Sequence, residues 1–529
     1  MASTRPLLIL VFIFFCFYYS NAQPSIQWQK SLGGTLIDQA NSIQQTMDGG
    51  YIVAGHTQSN DSDVTGNHGN SEYWVVKLDS MGTIQWQKCL GGSMGEEANS
   101  IQQTTDSGYI IAGSSSSNDG DVTNNNSINN VDFWVVKLSS MGTIQWQKCM
   151  GGSRSDVAYS IQQTMDGGYA VAGSSGSNDS DVTGNHGMQD YWVVKLDTNG
   201  TIQWQKSMGG SGGDAAFSIC QTMDSGYIVA GMSNSIDGDV IGNINFGNNY
   251  WVVKLNSMGT IQWQKILGNG SARANSIQQT TDSGYIVAGT ALGNGYDVSG
   301  NRGVYDFWVV KLNSTGTIRW QKCMGGSDQE WANSIRQTTD GGYVVAGFAE
   351  SNDSDLTSNN GGMDYWVVKL NSNASIEWQQ NLGGSLDDYA TSIWQTSDTG
   401  YIVAGRSKSN DFDVTGNNGN WDYWIVKLGW TITGIPEIIN PVSDFKVNPN
   451  PVSRSAEISF SLNQSEHISV AVYDIAGRIV RILFDDKLAP GNHQLQWNLK
   501  EGQVVADGIY FLKIISAGFT KSCRLVVVE

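Results

Sequence analysis

A tryptophan-bearing segment recurs through this chain at a nearly constant interval. In one copy it reads Asp79-Ser-Met-Gly-Thr-Ile-Gln-Trp-Gln-Lys88, and its tryptophan returns at Trp28, Trp86, Trp146, Trp204, Trp263, Trp320 and Trp378, 57 to 60 residues apart. A second tryptophan, in Tyr-Trp-Val-Val-Lys-Leu or a close variant, keeps the same beat at Trp74, Trp134, Trp192, Trp251, Trp308, Trp366 and Trp424. A fixed period of this length implies stacked supersecondary units, none of which can bury its apolar surface alone. A chain of 529 residues is also too long for one simple core.

One copy shows how the unit is built. Residues 98–104 read as a strand, Asp106-Ser-Gly108 as a hairpin turn whose glycine can take positive φ, and 109–113 as the next strand. A polar loop leads to Asp132-Phe-Trp-Val-Val-Lys-Leu138, and a second tight turn, Ser139-Ser-Met-Gly142, returns the chain into Thr143-Ile-Gln-Trp-Gln-Lys148. Each copy therefore supplies four short strands bounded by turn residues, and no window keeps helical spacing long enough to compete. Abundant glycine with Trp, Tyr, Val and Ile in short runs fits an all-β chain. Seven four-stranded units predict a seven-bladed β-propeller over residues 23–430. The alternative, a β-solenoid, usually uses shorter coils. Both tryptophan series are expected to dock sheet on sheet, as fourteen anchors each burying about 150–250 Å².

The ends of the array sharpen this expectation. It opens with Ile26-Gln-Trp-Gln-Lys30, a strand with no preceding partner, and closes with Tyr423-Trp-Ile-Val-Lys-Leu428, after which the outer strand is missing. Antiparallel pairing of these two segments would close the last blade and leave no open sheet edge there. The same strand order puts both hairpins on one rim and the long loops on the other.

The long-loop rim is acidic. Asp-x-Asp pairs place Asp61 and Asp63, Asp119 and Asp121, Asp179 and Asp181, Asp353 and Asp355, and Asp411 and Asp413 in equivalent loops. Several hard oxygens within one short loop suit calcium, which takes about six to eight oxygen ligands. The competing reading is turn chemistry, with carboxylates capping nearby backbone amides; the fifth copy has Gly295 where the first Asp would stand. Glu72, Asp132, Asp190, Asp306, Asp364 and Asp422 precede the aromatic pair, and Asp38, Glu96, Glu97, Asp156, Asp214, Asp387 and Asp388 sit between copies. His68 and His186 occupy equivalent loop positions and read as solvated. Trp331, Trp394, Trp421 and Trp430 break the repeat and are candidates for surface contact.

A formal net charge of −19 argues against nucleic acid, whose phosphates require a basic face. Residues 1–22 read as a secretory signal peptide: Arg5 precedes an apolar run over 7–19 that is too short to span a bilayer, and Ser20-Asn21-Ala22 offers a cleavage site. No transmembrane segment is expected after its removal. Of the remaining cysteines, Cys89, Cys149 and Cys323 stand at equivalent places in different copies, so they read as small buried hydrophobes rather than disulfide partners. No nucleophile elbow, zinc-protease helix or phosphate-cradling loop is present. The array resembles the Asp-Gly-Gly-Tyr-rich propeller repeats of secreted Bacteroidota proteins, a family without one settled activity. It is more loosely similar to quinoprotein-type propellers, a likeness that speaks to fold alone.

At 431–443 the beat stops and Pro436 and Pro441 appear, as expected of a linker. From 444 to 529, alternating runs over 456–462, 467–474, 494–499, 508–515 and 522–528 predict a small Ig-like β-sandwich. Phe445-Lys-Val-Asn-Pro-Asn-Pro451, Val472-Tyr-Asp-Ile-Ala-Gly-Arg478, Gly491-Asn-His493, Trp497 and Gly508-Ile-Tyr510 together resemble the type A sorting domain of the type IX secretion system. The resemblance implies the type IX secretion machinery as a partner and a destination outside the cell or at the outer-membrane surface of a Gram-negative bacterium. The whole reads as a secreted binding, adhesion or scaffold protein with an extracellular protein or glycan ligand on the acidic rim. The competing class is a polymer-degrading enzyme that uses rim carboxylates.

Overall fold

The structure, a computed structural model, describes residues 23–125, 130–244, 247–356, 358–430, 442–463, 465–475, 477–499, 505–516 and 519–528. The expected signal peptide and residues 431–441 of the expected linker lie outside the described residues. All regular elements are β-strands. Among the described residues no helix is long and apolar enough to cross a membrane. The chain divides into two units, Met1–Thr431 and Ile432–Glu529.

The first unit contains seven four-stranded antiparallel sheets. Sheet one is built from Asp38–Gln45, Tyr51–Thr57, Glu72–Leu78 and Ile84–Leu90. Sheets two to six repeat that order, with first strands beginning at Glu96, Asp156, Asp214, Ala272 and Glu330. Sheet seven takes Asp388–Gln395, Tyr401–Ser407 and Asp422–Gly429, and its fourth strand is the N-terminal Ser25–Leu32. Trp28 lies opposite Lys427 and Leu32 opposite Tyr423, in the antiparallel sense expected.

Local chemistry explains the turns. Asp48 accepts hydrogen bonds from Gly50 N at 3.0 Å and from Lys77 Nζ, while Gly49 takes φ of 82°. The lysine of each Tyr-Trp-Val-Val-Lys-Leu strand buries its stem and reaches the hairpin aspartate, as in Lys77–Asp48 at 2.9 Å. Hydrogen bonds between neighbours then tie the sheets together. Ile101 N donates to Ser42 Oγ, Ile161 N to Ser100 Oγ, and so on to Ile393 N and Ser334 Oγ; the same bond joins Ile43 N to Ser392 Oγ, linking sheet one to sheet seven. Tyr423 Oη of sheet seven donates to Trp74 O of sheet one at 2.9 Å.

Burial separates the two tryptophan series. Trp74, Trp134, Trp192, Trp251, Trp308, Trp366 and Trp424 are fully buried on the third strand. In the outer-strand series only Trp378 is buried among the described residues; Trp28, Trp86, Trp146, Trp204, Trp263 and Trp320 are half-buried. The expectation of fourteen equivalent anchors is therefore corrected. The outer strand lies at the perimeter, and its tryptophan meets the next sheet edge-on, as Trp28 meets Tyr51 at 5.6 Å. Gly82, at φ 78°, permits this contact, because a Cβ there would come within 2.9 Å of the Trp28 ring.

The second unit has a three-stranded sheet of Val442–Asn448, Ser455–Leu462 and Gly491–Asn498. Its four-stranded sheet runs Ile479–Leu488, Glu466–Tyr473, Gly508–Ser516, Phe519–Val527. Both sheets feed one core that includes Phe460, Val470, Trp497, Leu512 and Leu525. Two strands escaped the sequence reading. Val442–Asn448 begins inside the stretch read as linker, and Ile479–Leu488 carries Arg481, Asp485, Asp486 and Lys487, which break the apolar alternation. All five described cysteines are free.

Candidate functional site

The seven first strands keep four of their eight positions unchanged and vary most at the second. Ala, Ser, Ile and the last Gln hold their places throughout, apart from local changes elsewhere in the strand. The second position holds Gln39, Glu97, Val157, Ala215, Arg273, Trp331 and Tyr389, seven residue types in seven copies. Its cross-strand partner on the second strand also varies: His56, Ser114, Ser174, Met232, Thr290, Phe348 and Arg406. Because these positions lie at the start of the first strand and the end of the second, they share the long-loop rim. Deeper in, Ser42, Ser100, Gln102, Gln162, Cys220, Arg336 and Trp394 line a cavity of about 170 Å³ between the inner strands. The variable positions mark the long-loop end of the same strands, here the mouth; the cavity's lining lies at the fifth to seventh strand positions, toward the hairpins.

On sheets five to seven the mouth is aromatic. Tyr305 meets Trp331 at 5.3 Å, Trp331 stacks on Phe348 at 6.3 Å, Phe348 meets Tyr389 at 4.6 Å, and Tyr389 meets Trp421 at 5.3 Å. The Arg406 guanidinium lies over both Tyr389 and Trp421, 4.7 and 4.6 Å from the ring centres, and donates to Gln39 Oε1. Lys408 Nζ caps Trp421 at 4.5 Å, and Arg273 lies over Phe217 at 3.8 Å. Such cation–ring contacts hold each side chain against its platform. Across sheets four to six, Met232, Asn248, Ala272, Arg273, Thr290, Tyr305 and Trp331 line a pocket of about 220 Å³. Across the mouth, His56 Nδ1 lies 3.8 Å from Glu97; burial lowers the pKa of the imidazole, and Glu97 opposes that shift. A larger perimeter cleft, about 450 Å³ and lined in part by Gln379, Gln380 and Asn381, gathers none of the repeat-breaking aromatics.

The acids of this rim are placed differently from the sequence expectation. Asp38, Glu72, Glu96, Asp132, Asp156, Asp190, Asp214, Asp306, Glu330, Asp364, Asp388 and Asp422 are all buried. While Asp61, Asp119, Asp179, Asp353 and Asp411 stay exposed on the rim, these twelve face the junctions between sheets and are not available to a partner. The physical reason is backbone amides that need acceptors: Asp388 takes Gly384 N at 2.8 Å, and Asp422 takes Asn418 N at 2.7 Å. Burial raises the pKa of the Asp364 and Asp422 carboxyls to about 7 and of Asp388 to about 6. His68 and His186 are not simply solvated, since each ring nitrogen lies against the buried acid four residues on, Glu72 at 3.1 Å and Asp190 at 2.8 Å.

The Asp-x-Asp residues also serve loops. Asp61, Asp119, Asp179, Asp353 and Asp411 each accept the amide of the third residue of the neighbouring inter-sheet loop, at 2.8–2.9 Å. Asp63, Asp121, Asp181, Asp355 and Asp413 approach the loop's first glycine amide at 3.3–3.4 Å. The middle residue turns through positive φ, as Ser62 does at 54°. Among the described residues no three His, Cys, Asp or Glu side chains are grouped so as to hold a metal ion. Of the four tryptophans that break the repeat, Trp331 and Trp421 join the aromatic mouth. Trp394 lies in the cavity under Arg336, and Trp430 packs edge-on against Trp378 at 6.5 Å. Sequence reasoning missed Arg273, Phe348, Tyr389 and Arg406. Comparing the copies column by column would have found them.

Residues 446–529 match the secretion system C-terminal sorting domain. They form a type IX sorting domain, and the chain is a type IX cargo delivered to the cell surface or the extracellular space. A curated relative, the regulatory protein FlaEY of Caulobacter vibrioides, is 24% identical over 222 residues, 37% of this chain and 23% of that protein. The chain thus spans about a quarter of that relative's length. Among solved structures, PorZ of Porphyromonas gingivalis, described as an essential bacterial surface component of the type IX secretion system, is similar at 13% identity and a TM-score of 0.39. That match covers 94% of this chain and 60% of PorZ. Sqt1 of Chaetomium thermophilum is similar at 9% identity and a TM-score of 0.39, over 78% of this chain and all of that one.

Proposed function

We propose that residues 23–430 form a closed seven-bladed β-propeller, joined by a linker over 431–443 to an Ig-like sorting sandwich. The protein acts outside the cell as a binding, adhesion or scaffold module. Its ligand, an extracellular glycan or protein, docks at the cavity mouth on the long-loop rim. One observation carries this reading: in an otherwise repetitive array, the positions that differ from copy to copy share one rim, and on sheets five to seven they form a continuous aromatic and cationic surface. A fold needs its repeated residues repeated; a ligand of lower symmetry needs them different. Aromatic and arginine side chains are also those that dominate binding surfaces.

The test immobilises the signal-free chain on glycan and protein arrays. Trp331→Ala and Tyr389→Ala should each weaken the bound ligand at least tenfold, while Met81→Ala on the opposite rim should leave affinity unchanged. Hydrolysis of an array member, abolished by one rim carboxylate substitution, would overturn the binding reading in favour of a polymer-degrading enzyme.

A further inference from the structure

Residues 23–430 carry 6 arginines, in a chain with a formal net charge of −19. Three of them, Arg273, Arg336 and Arg406, line the mouth and the cavity beneath it. Among the described residues none of the three forms an ion pair with a carboxylate, and each leaves a buried Nε without a hydrogen-bond partner. Guanidinium groups held against rings and without carboxylates keep their planar fork available for an anion.

The junction beside Arg273 is altered in step. Elsewhere a glycine between neighbouring sheets lies between two buried acids, as Gly383 lies between Asp364 and Asp388. At the junction of sheets four and five the corresponding residues are Asn249 and Ala272, and the first Asp of the following loop is Gly295. Three carboxylates that would repel an anion are therefore missing on the side of the 220 Å³ pocket formed by sheets four and five, while Asp306 and Glu330, behind Tyr305 and Trp331, are buried at the next junction. Tyr305 and Trp331 offer ring faces there, and Asn248 and Thr290 offer polar groups.

From this convergence we propose that the pocket lined by sheets four to six takes a carboxylate-bearing sugar unit, its ring against Tyr305 and Trp331 and its acid group toward Arg273. This inference rests on the binding reading above and narrows it to anionic saccharides. The volume is below the roughly 300–1,000 Å³ of drug-sized sites, which suits a single ring-sized unit. A peptide added as a strand is less suited. The inner strands present their free edges to the cavity, but their amides are already taken by neighbouring side chains, such as Ile277 N by Ser218 Oγ and Gln337 N by Gln278 Oε1.

The experiment measures intrinsic tryptophan fluorescence and affinity of the signal-free chain. Its probes are sialyl-, glucuronyl- and galacturonyl-terminated oligosaccharides, each with the neutral parent that lacks only the carboxylate, and acidic peptides. At least one acidic saccharide should bind tenfold or more tightly than its parent. Arg273→Ala should remove that preference, and Arg273→Lys, which keeps charge but not the fork, should restore only part of it. Ala272→Asp restores an acid that four other sheets carry at this position, so the fold tolerates it; it should weaken the acidic probe at least fivefold and spare the neutral one. Equal binding of acidic and neutral saccharides, with loss in Trp331→Ala, overturns this inference and leaves the binding reading standing. Binding of acidic peptides in place of saccharides also overturns it. Failure of every probe, with Trp331→Ala without effect on any array ligand, removes both.

Discussion

At the junction of sheets six and seven, Gly383 lies between the carboxylates of Asp364 and Asp388; at the junction of sheets four and five, Gly268 lies between Asn249 and Ala272. In the first, Asp388 accepts Gly384 N and Asp364 accepts Asn360 N, and each keeps a second oxygen buried without a partner. In the second, Asn249 Oδ1 accepts a turn amide from Gly270 at 2.7 Å where the acid pair stands elsewhere, its Nδ2 donates to Asn243, and Asp297 Oδ2 approaches Gly268 N at 3.4 Å. The fold therefore requires an acceptor for the turn, and one neutral amide meets that requirement. The second buried charge at the other junctions is an added cost, since carboxylates taken out of water without counter-charge are disfavoured. Where the acids are absent, the rim opens into an aromatic pocket beside an arginine.

The largest expected effect comes from breaking the junction of sheets seven and one, whose outer strand is supplied from the far end of the array. Removing residues 23–32 deprives Trp424 Nε1 of Gln29 and exposes the edge of Asp422–Gly429. The truncated protein should aggregate or melt at least 10 °C lower in a thermal scan; an unchanged curve would show that the sheets hold without that strand.

Gly383→Ala comes next. Its Cβ would lie 2.3 Å from Asp364 Oδ1 and 2.6 Å from Asp388 Oδ2. A loss of about 2–4 kcal/mol in denaturant unfolding is expected for that overlap. A neutral result would mean that the two acids can part.

Asp364→Asn converts an acid-pair junction toward the chemistry of Asn249. The carboxyl is about 7 in the folded protein, raised chiefly by burial and further by Asp388, against 3.8 for an ordinary aspartate. The folded state thus holds a proton that the unfolded state has already released. This group's contribution is most favourable below pH 4 and is lost as pH rises through about 7. Asn removes that loss, so the variant should gain about 1–3 kcal/mol at pH 8 and little at pH 4. The hairpin rim titrates in the opposite direction. Burial pushes Asp48 up, but hydrogen bonds from Thr46, Lys77 and Gly50 more than offset it and hold the carboxyl at about 2. That contribution is present above 3.8 and lost as pH falls through 2. Together the two rims place the wild-type optimum in mildly acid solution, and a stability maximum above pH 8 would contradict the comparison.

The smallest expected effect is that of calcium. Because the Asp-x-Asp carboxylates are already taken by loop amides, millimolar calcium should move the melting temperature by less than about 1 °C. A rise of several degrees, abolished by Asp364→Asn, would show that the acid pairs hold a cation and would sharpen their difference from the Asn249 junction.

The strand plan was legible because it is local. Asp-Gly-Gly turns, Tyr-Trp-Val-Val-Lys-Leu runs and the unpartnered strand around Trp28 each carry their own instruction, and the C-terminal motifs identified the sorting domain. The two missed strands show the limit. Ile479–Leu488 is held by pairing with Glu466–Tyr473 although its charges hide the alternation.

What the sequence by itself determined is the number of sheets, the order of their strands and the secretory destination, all of which follow from short-range pattern. What only the tertiary structure decided is which way the acids face and which odd residues meet. Near-identical copies give Asp38 and Asp61 the same apparent polarity, yet one is buried and the other exposed. Residues as far apart in sequence as Tyr305 and Trp421 enter one aromatic surface because consecutive sheets stack side by side and bring equivalent positions together about every 58 residues.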